Sequence, residues 1–219
     1  MIDAVVFDVG ETLVNETREY GTWADWLGVP RHTFSAIFGA VIISGRDYRE
    51  VFQYFRPGLS LDAERKLRAE AGRPEQFSEE DLYADARPGM AALRQMGIWV
   101  GVAGNQTARA GVILRELGLP ADMIGTSAEW GAEKPDGTFF EAMISAAPCP
   151  AGRILYVGDR LDNDLKPAKM AGMQTAFIRR GPWGYIWADH PDMPSAADFR
   201  IASLTELPGL VDSANRSAH

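Results

Sequence analysis

The chain has 219 residues, 46% hydrophobic and 24% charged, a globular balance with room for one large domain or a core and a smaller partner. Its formal net charge of -8 (22 Lys and Arg against 30 Asp and Glu) excludes nucleic acid and anionic membrane surfaces as principal partners. The longest apolar run, FSAIFGAVII, is about half of the ~20 residues a membrane helix needs.

The opening MIDAVVFDVG has neither the charged start nor the cleavage site of a secretory leader, so the cytoplasm is the expected location. The single cysteine, Cys149, excludes an internal disulfide and any paired-cysteine metal knuckle. Lying between Pro148 and Pro150, it is expected to be an inert loop residue.

Residues 4–7 read as a buried strand that stops at Asp8. From about 15 to 85 no strand signal appears, and several helical faces do. Phe34, Ile37, Phe38, Val41 and Ile42 fall at i, i+3, i+4, i+7 and i+8; Tyr48, Val51, Phe52 and Phe55 repeat the spacing. Tyr20, Trp23 and Leu27 follow it more loosely. Beyond 86, apolar runs at 98–103, 123–126, 154–157 and 175–178 alternate with helical patterns near 89–95, 108–117, 139–147 and 165–171. Gly97, Gly118 and Gly172 stand where helices would be capped.

This order predicts an α/β fold: a doubly wound parallel-sheet core of residues 1–14 and 86–212, interrupted by an all-α insert over 15–85. Residues 213–219 are expected to fray. The aromatic segment 181–191, GPWGYIWADHP, is expected to be a loop covering a sheet edge or meeting another subunit.

In an open parallel sheet, function collects at the carboxyl ends of the strands. Asp8 ends the first strand, Asp159 ends ILYVGD, and Asp164 follows in GDRLDND. Like charges gathered this way call for a cation, and all-oxygen ligands favour Mg²⁺. Lys134, in the loop GAEKPDG after another strand, can balance a carboxylate nucleophile and a bound phosphoryl group. Asp136 and Asp162 read as turn or capping residues, Glu129 as a loop hydrogen bonder, and His32 and His190 as surface residues.

FDVGETL, SAEWGAEKPDGTFFEA and VGDRLDNDLKPAKMAG together resemble the first, third and fourth motifs of the haloacid dehalogenase-like superfamily, over essentially the whole chain. The resemblance implies a Rossmann-like core with a helical cap in the inserted segment. It implies Asp8 as a nucleophile forming an aspartyl-phosphate, and Lys134 as its partner. It places Mg²⁺ on Asp8, the Gly10 carbonyl and Asp159, with Asp164 beside them, and a small phosphorylated metabolite as substrate.

Two positions depart from the family pattern. The family's phosphatases carry a second aspartate two places after the nucleophile, where this chain has Gly10. A glycine still offers a carbonyl to a metal, but it cannot donate the leaving group's proton, which is typically worth about 10²–10⁴ in rate. Acyl phosphates, aryl phosphates, phosphoanhydrides and halides leave without such help, so they are the expected substrates. Glu11, one residue on, is the alternative acid. In GVAGNQT the family places a hydroxyl residue before the asparagine; here Gly104 precedes Asn105, and these two, with Lys134, are the expected phosphate-binding positions. Thr107 reads as a helix cap, and amides at that helix start can face an anion.

Two rival readings follow from the same residues: carbon–halogen hydrolysis through an Asp8 ester without metal, and a phospholigand or protein binder without turnover. The dehalogenases have a tyrosine at the Gly10 position, whereas the Asp159–Asp164 pair resembles a metal site. In the insert, Tyr20, Trp23, Trp26, Arg46, Arg49 and Arg56 have two readings, selection of the substrate by an arginine grip or tryptophan stacking and packing of the unit's own small core, and the second is expected for each. Monomer and homodimer are both open.

Overall fold

The computed structural model describes residues 1–217. They divide into two compact units, Glu16–Asp81 and the flanking remainder, Met1–Asn15 with the chain from Leu82 onward.

The flanking unit is built on a six-stranded sheet in the order β3-β2-β1-β4-β5-β6, parallel throughout. The strands are β1 (Ala4–Phe7), β2 (Trp99–Gly104), β3 (Met123–Thr126), β4 (Ile154–Gly158), β5 (Gln174–Ile178) and β6 (Phe199–Ile201). β1 is central, with Ala4 level with Trp99 on one side and Ile154 on the other. Every residue of β1 and of β4 is buried, which is why neither shows apolar–polar alternation. On one face Ala4, Val6, Ile154 and Tyr156 pack with Phe139, Phe140 and Met143 of the helix Gly137–Ala146. The helix Ala86–Gln95 packs on β2 and on the last helix, Leu207–Ser217. Because chain order reverses at β1, the carboxyl ends of β1 and β4 border the crevice where such sheets hold ligands.

The second unit holds the helices Thr17–Leu27, Arg31–Ile43, Val51–Phe55 and Leu61–Glu70. Its core is aromatic: Trp23 meets Phe52 edge-on at 5.0 Å, Phe34 stacks on Phe55 at 5.6 Å, and Tyr20 lies 4.5 Å from Phe38. Trp26 gives its indole N–H to Glu64 at 2.7 Å, and Arg56 reaches the other oxygen of that carboxylate at 2.8 Å. Arg46 pairs with Glu50 and with the Tyr54 hydroxyl, and Arg49 pairs with Asp47. These side chains thus serve their own unit. Among the described residues no single helix is long and apolar enough to cross a membrane.

Four details differ from the sequence expectation. Residues 82–85 belong with the sheet rather than the insert: Leu82 bridges Val14, the Tyr83 N–H reaches the Leu13 carbonyl at 2.9 Å, and Asp85 pairs with Arg180. Residues 213–217 continue the last helix instead of fraying. Val211 is buried, and the Asn215 amide accepts the Ile2 N–H while donating to its carbonyl at 2.8 Å; the rest of that tail lies outside the described residues. Residues 181–187 of the aromatic segment form a helix, Gly181–Trp187, with Trp183 buried under the Arg160 guanidinium at 4.5 Å. β6 is three residues of FRI with an exposed arginine, too short and polar to register as a strand in the sequence.

Candidate active site

Four strand ends supply the site. Asp8 directly follows β1, and its N–H extends the ladder to the Val157 carbonyl at 2.9 Å. Asp159 directly follows β4, so the two carboxylates rise from neighbouring strands. Asp164 returns from the helical turn Leu161–Leu165 and is fully buried. Oxygens of these three side chains all lie within 4.8 Å of one another.

Lys134, four per cent exposed, arrives from the loop after β3. Its ammonium donates to Asp8 Oδ1 and to Asp164 Oδ1, both at 2.6 Å. Burial opposes its charge, but Asp164 and Asp8 more than compensate and hold its pKa well above the ordinary lysine value. Tyr156 and Phe139 rings flank the ammonium at 5.6 and 6.0 Å. The Asp164 carboxyl is pushed up to about 6 by burial, against the pull of Lys134. Burial, with the charges of Asp164 and Asp8, drives Asp159 well above the ordinary carboxylate value. Its Oδ2 is buried without a hydrogen-bond partner. One ammonium therefore serves two of three carboxylates and leaves the third unanswered, a donor set that fits a hard divalent ion such as Mg²⁺.

Gly104 and Asn105 close the β2 side. A Cβ at Gly104 would lie 2.8 Å from Asp8 Oδ1 and 3.1 Å from Val9 Cγ2, so glycine leaves room for the carboxylate where it stands. Asn105 clamps the Lys134 backbone, accepting its N–H at 2.7 Å and donating to its carbonyl at 2.8 Å. Its amide thus positions Lys134. Thr107 accepts the Ala110 N–H at 3.0 Å and caps the helix Ala108–Glu116.

Gly10 lies in a tight loop in which the Leu13 and Val14 N–H groups both reach the Val9 carbonyl at 2.9 Å. Glu11 takes φ +53°, a left-handed conformation rare for a residue with a side chain. Its buried carboxylate accepts the Tyr83 hydroxyl. Gly181 makes the space: a Cβ there would stand 2.5 Å from Glu11 Cβ and Cγ. Arg180 covers the Tyr83 ring at 4.2 Å and donates to the Thr12 carbonyl and to Asp85 Oδ1, each at 3.0 Å.

Sequence reasoning missed Gly158. A Cβ there would come within 2.5 Å of Asp164 Oδ2 and 2.6 Å of its Cγ. The Gly-Asp pair of VGD was the available signal, but only its aspartate was assigned a role. Tyr156, Tyr83 and Arg180 carried no local motif. Asp136 caps Gly137–Ala146 as expected, whereas Asp162 lies inside the helical segment Leu161–Leu165 and pairs with Arg160. Glu129 pairs with Arg115 at 2.7 Å.

The parallel sheet thus gathers Asp8, Asp159, Asp164 and the buried Lys134 at the carboxyl ends of its strands. The chain belongs to the haloacid dehalogenase-like hydrolase family, whose model matches residues 2–172. It is 28% identical to a glyceraldehyde 3-phosphate phosphatase of Methanopyrus kandleri, over 94% of this chain and 96% of that one. A protein of the same name from Methanocaldococcus jannaschii is 35% identical over 54% of this chain and 51% of its own length, so that match spans about half of the relative. In fold, the chain is similar to the L-2-haloacid dehalogenase of Xanthobacter autotrophicus, with a TM-score of 0.72 at 19% identity, covering 97% of this chain and 99% of that one.

Proposed function

We propose that the chain is a Mg²⁺-dependent phosphohydrolase of small phosphorylated metabolites, working in the cytoplasm through an aspartyl-phosphate on Asp8. The observation that carries this reading is the unanswered Asp159 oxygen beside two carboxylates that share one lysine. Asp8, Asp159, Asp164 and the Gly10 carbonyl would hold the ion, which supplies charge neutralisation for the incoming phosphoryl group. Asp8 presents a carboxylate oxygen at the crevice floor, and Lys134 holds it in place while offsetting its charge. Asn105 fixes the backbone from which Lys134 reaches, and Gly104 leaves the space beside Asp8 open. The named activities of the Methanopyrus and Methanocaldococcus relatives support a small phosphorylated metabolite as substrate; glyceraldehyde 3-phosphate is an alkyl phosphate, the class that the missing acid at Gly10 disfavours. The acidic cluster favours phosphoryl transfer over carbon–halogen cleavage, which asks for no metal.

The test is hydrolysis of a panel of small phosphates, with p-nitrophenyl phosphate as reporter, in Mg²⁺ and in EDTA. Turnover should require Mg²⁺ and vanish in Asp8→Asn. Turnover that survives either change contradicts the reading.

A further inference from the structure

Among the described residues, Glu11 is the only one with a side chain that takes positive φ. A residue with a Cβ populates that conformation about 5- to 30-fold less than its ordinary ones, so something must hold it there. Two segments distant in the chain do so. From one, Tyr83 gives its hydroxyl to the buried Glu11 carboxylate. Burial and that carboxylate raise the phenol well above its ordinary pKa, so it stays a donor. From the other, Gly181 leaves the gap through which the Glu11 side chain runs; a Cβ there would stand 2.8 Å from Glu11 Cδ. Arg180 ties the two segments together. It lies over the Tyr83 ring, pairs with Asp85 at 2.6 Å, and donates to the carbonyl of Thr12, the residue after Glu11, at 3.0 Å. Asp85 in turn accepts the Ser203 hydroxyl at 2.8 Å and the Leu204 N–H at 2.9 Å.

The turn that holds Glu11 closes against the nucleophile. The N–H groups of Thr12, Leu13 and Val14 converge on the Val9 carbonyl at 3.3, 2.9 and 2.9 Å, and Val9 directly follows Asp8. Rotation at Glu11 therefore moves the Val9 peptide, and with it the carboxylate that Lys134 meets at 2.6 Å. Resting on the phosphohydrolase reading, we propose that Tyr83 and Glu11 are positioning residues: their hydrogen bond clamps the Glu11 backbone in its left-handed conformation and so sets the aim of Asp8 at phosphorus. Both act through the Val9–Val14 turn, and the Glu11 carboxylate serves as an acceptor rather than as a proton source. Without the clamp, the turn must climb back to the left-handed conformation for each attack, and kcat falls by the factor that this costs.

The experiment compares kcat for p-nitrophenyl phosphate in Mg²⁺, well below the melting temperature of every variant. Tyr83→Phe and Glu11→Ala should each lower kcat by about 5- to 30-fold. Glu11→Gln, whose amide oxygen still accepts the hydroxyl, should retain the kcat that Glu11→Ala loses. Glu11→Gly should also retain it, because glycine takes positive φ without help, and Tyr83→Phe added to Glu11→Gly should cost nothing more. If Tyr83→Phe does not fold, Gly181→Ala strikes the clamp from the other side: its Cβ expels the Glu11 side chain, so kcat should fall, and should rise again when Glu11→Gly is added. Wild-type kcat in Tyr83→Phe, or an equal loss with and without Glu11→Gly, overturns the clamp and leaves the phosphohydrolase reading standing. A loss in Glu11→Gln as large as in Glu11→Ala would make the carboxyl proton the active element and also overturns it. No turnover by the wild type sinks both readings.

Discussion

Gly158→Ala adds one methyl group where the structure has no room for it. The new Cβ would lie 2.5 Å from Asp164 Oδ2, 2.6 Å from its Cγ and 2.7 Å from its Cβ. Asp164 cannot back away cheaply: one oxygen is bonded to Lys134 at 2.6 Å and the other to the Arg160 N–H at 3.0 Å. Overpacking a tight core costs about 1–3 kcal/mol. Pulling a buried carboxylate off a charged partner adds about 1.5–3 kcal/mol. The sum is about 2.5–6 kcal/mol, which for a chain of this size lowers Tm by roughly 5–25 °C. Thermal and urea unfolding measure this directly, in EDTA so that metal binding does not mask it. A loss below about 1 kcal/mol would show that Asp164 has somewhere else to go, and the tightly fixed carboxylate cluster would be wrong.

Gly104→Ala should lower both kcat and Tm, since its Cβ displaces the buried Asp8 carboxylate from Lys134; p-nitrophenyl phosphate kinetics at a temperature well below the melting point separate the loss of activity from the loss of stability. Arg68→Met should destabilise the insert by about 1.5–3 kcal/mol in urea unfolding. It removes the guanidinium that serves Glu19, the Thr22 hydroxyl and the Trp23 ring, and burial already pushes the Glu19 carboxyl up. Burial works against ionisation of Asp85, but Arg180, the Leu204 N–H and the Ser203 hydroxyl outweigh it and hold the carboxyl below its ordinary value. Its stabilisation is therefore present above the unfolded carboxylate pKa of about 3.9 and lost as pH falls through the lower folded value. Asp85→Asn should flatten the fall in Tm below about pH 4, and an unchanged slope would count against that pairing.

The parallel alternation was legible because strands such as AVVF and ILYV are apolar on both faces and glycines punctuate their helices. Gly97, Gly118 and Gly172 do take positive φ at helix ends, at 79°, 58° and 84°. β6 and the helix Gly181–Trp187 were not legible, because their stability comes from neighbours distant in sequence, such as Arg160 over Trp183. The same limit hid 82–85, whose attachment depends on Val14, Leu13 and Arg180. At the site, Asp8, Lys134, Asp159 and Asp164 could be named because strand ends and charge clustering are sequence properties. The structure brings all four together. What Asn105 and Glu11 do was hidden, since each depends on where a distant backbone or hydroxyl arrives. Gly158 was hidden in another way: its importance is the absence of a clash.

The central claim is that Asp8 attacks phosphorus and is released by water attacking phosphorus again. A single turnover of limiting p-nitrophenyl phosphate with Mg²⁺ in heavy-oxygen water reads this directly. The account predicts label in the released phosphate and none in the Asp8 carboxylate. Label in the Asp8 peptide would mean that water attacks the carboxyl carbon, the route of an ester intermediate, and would contradict it.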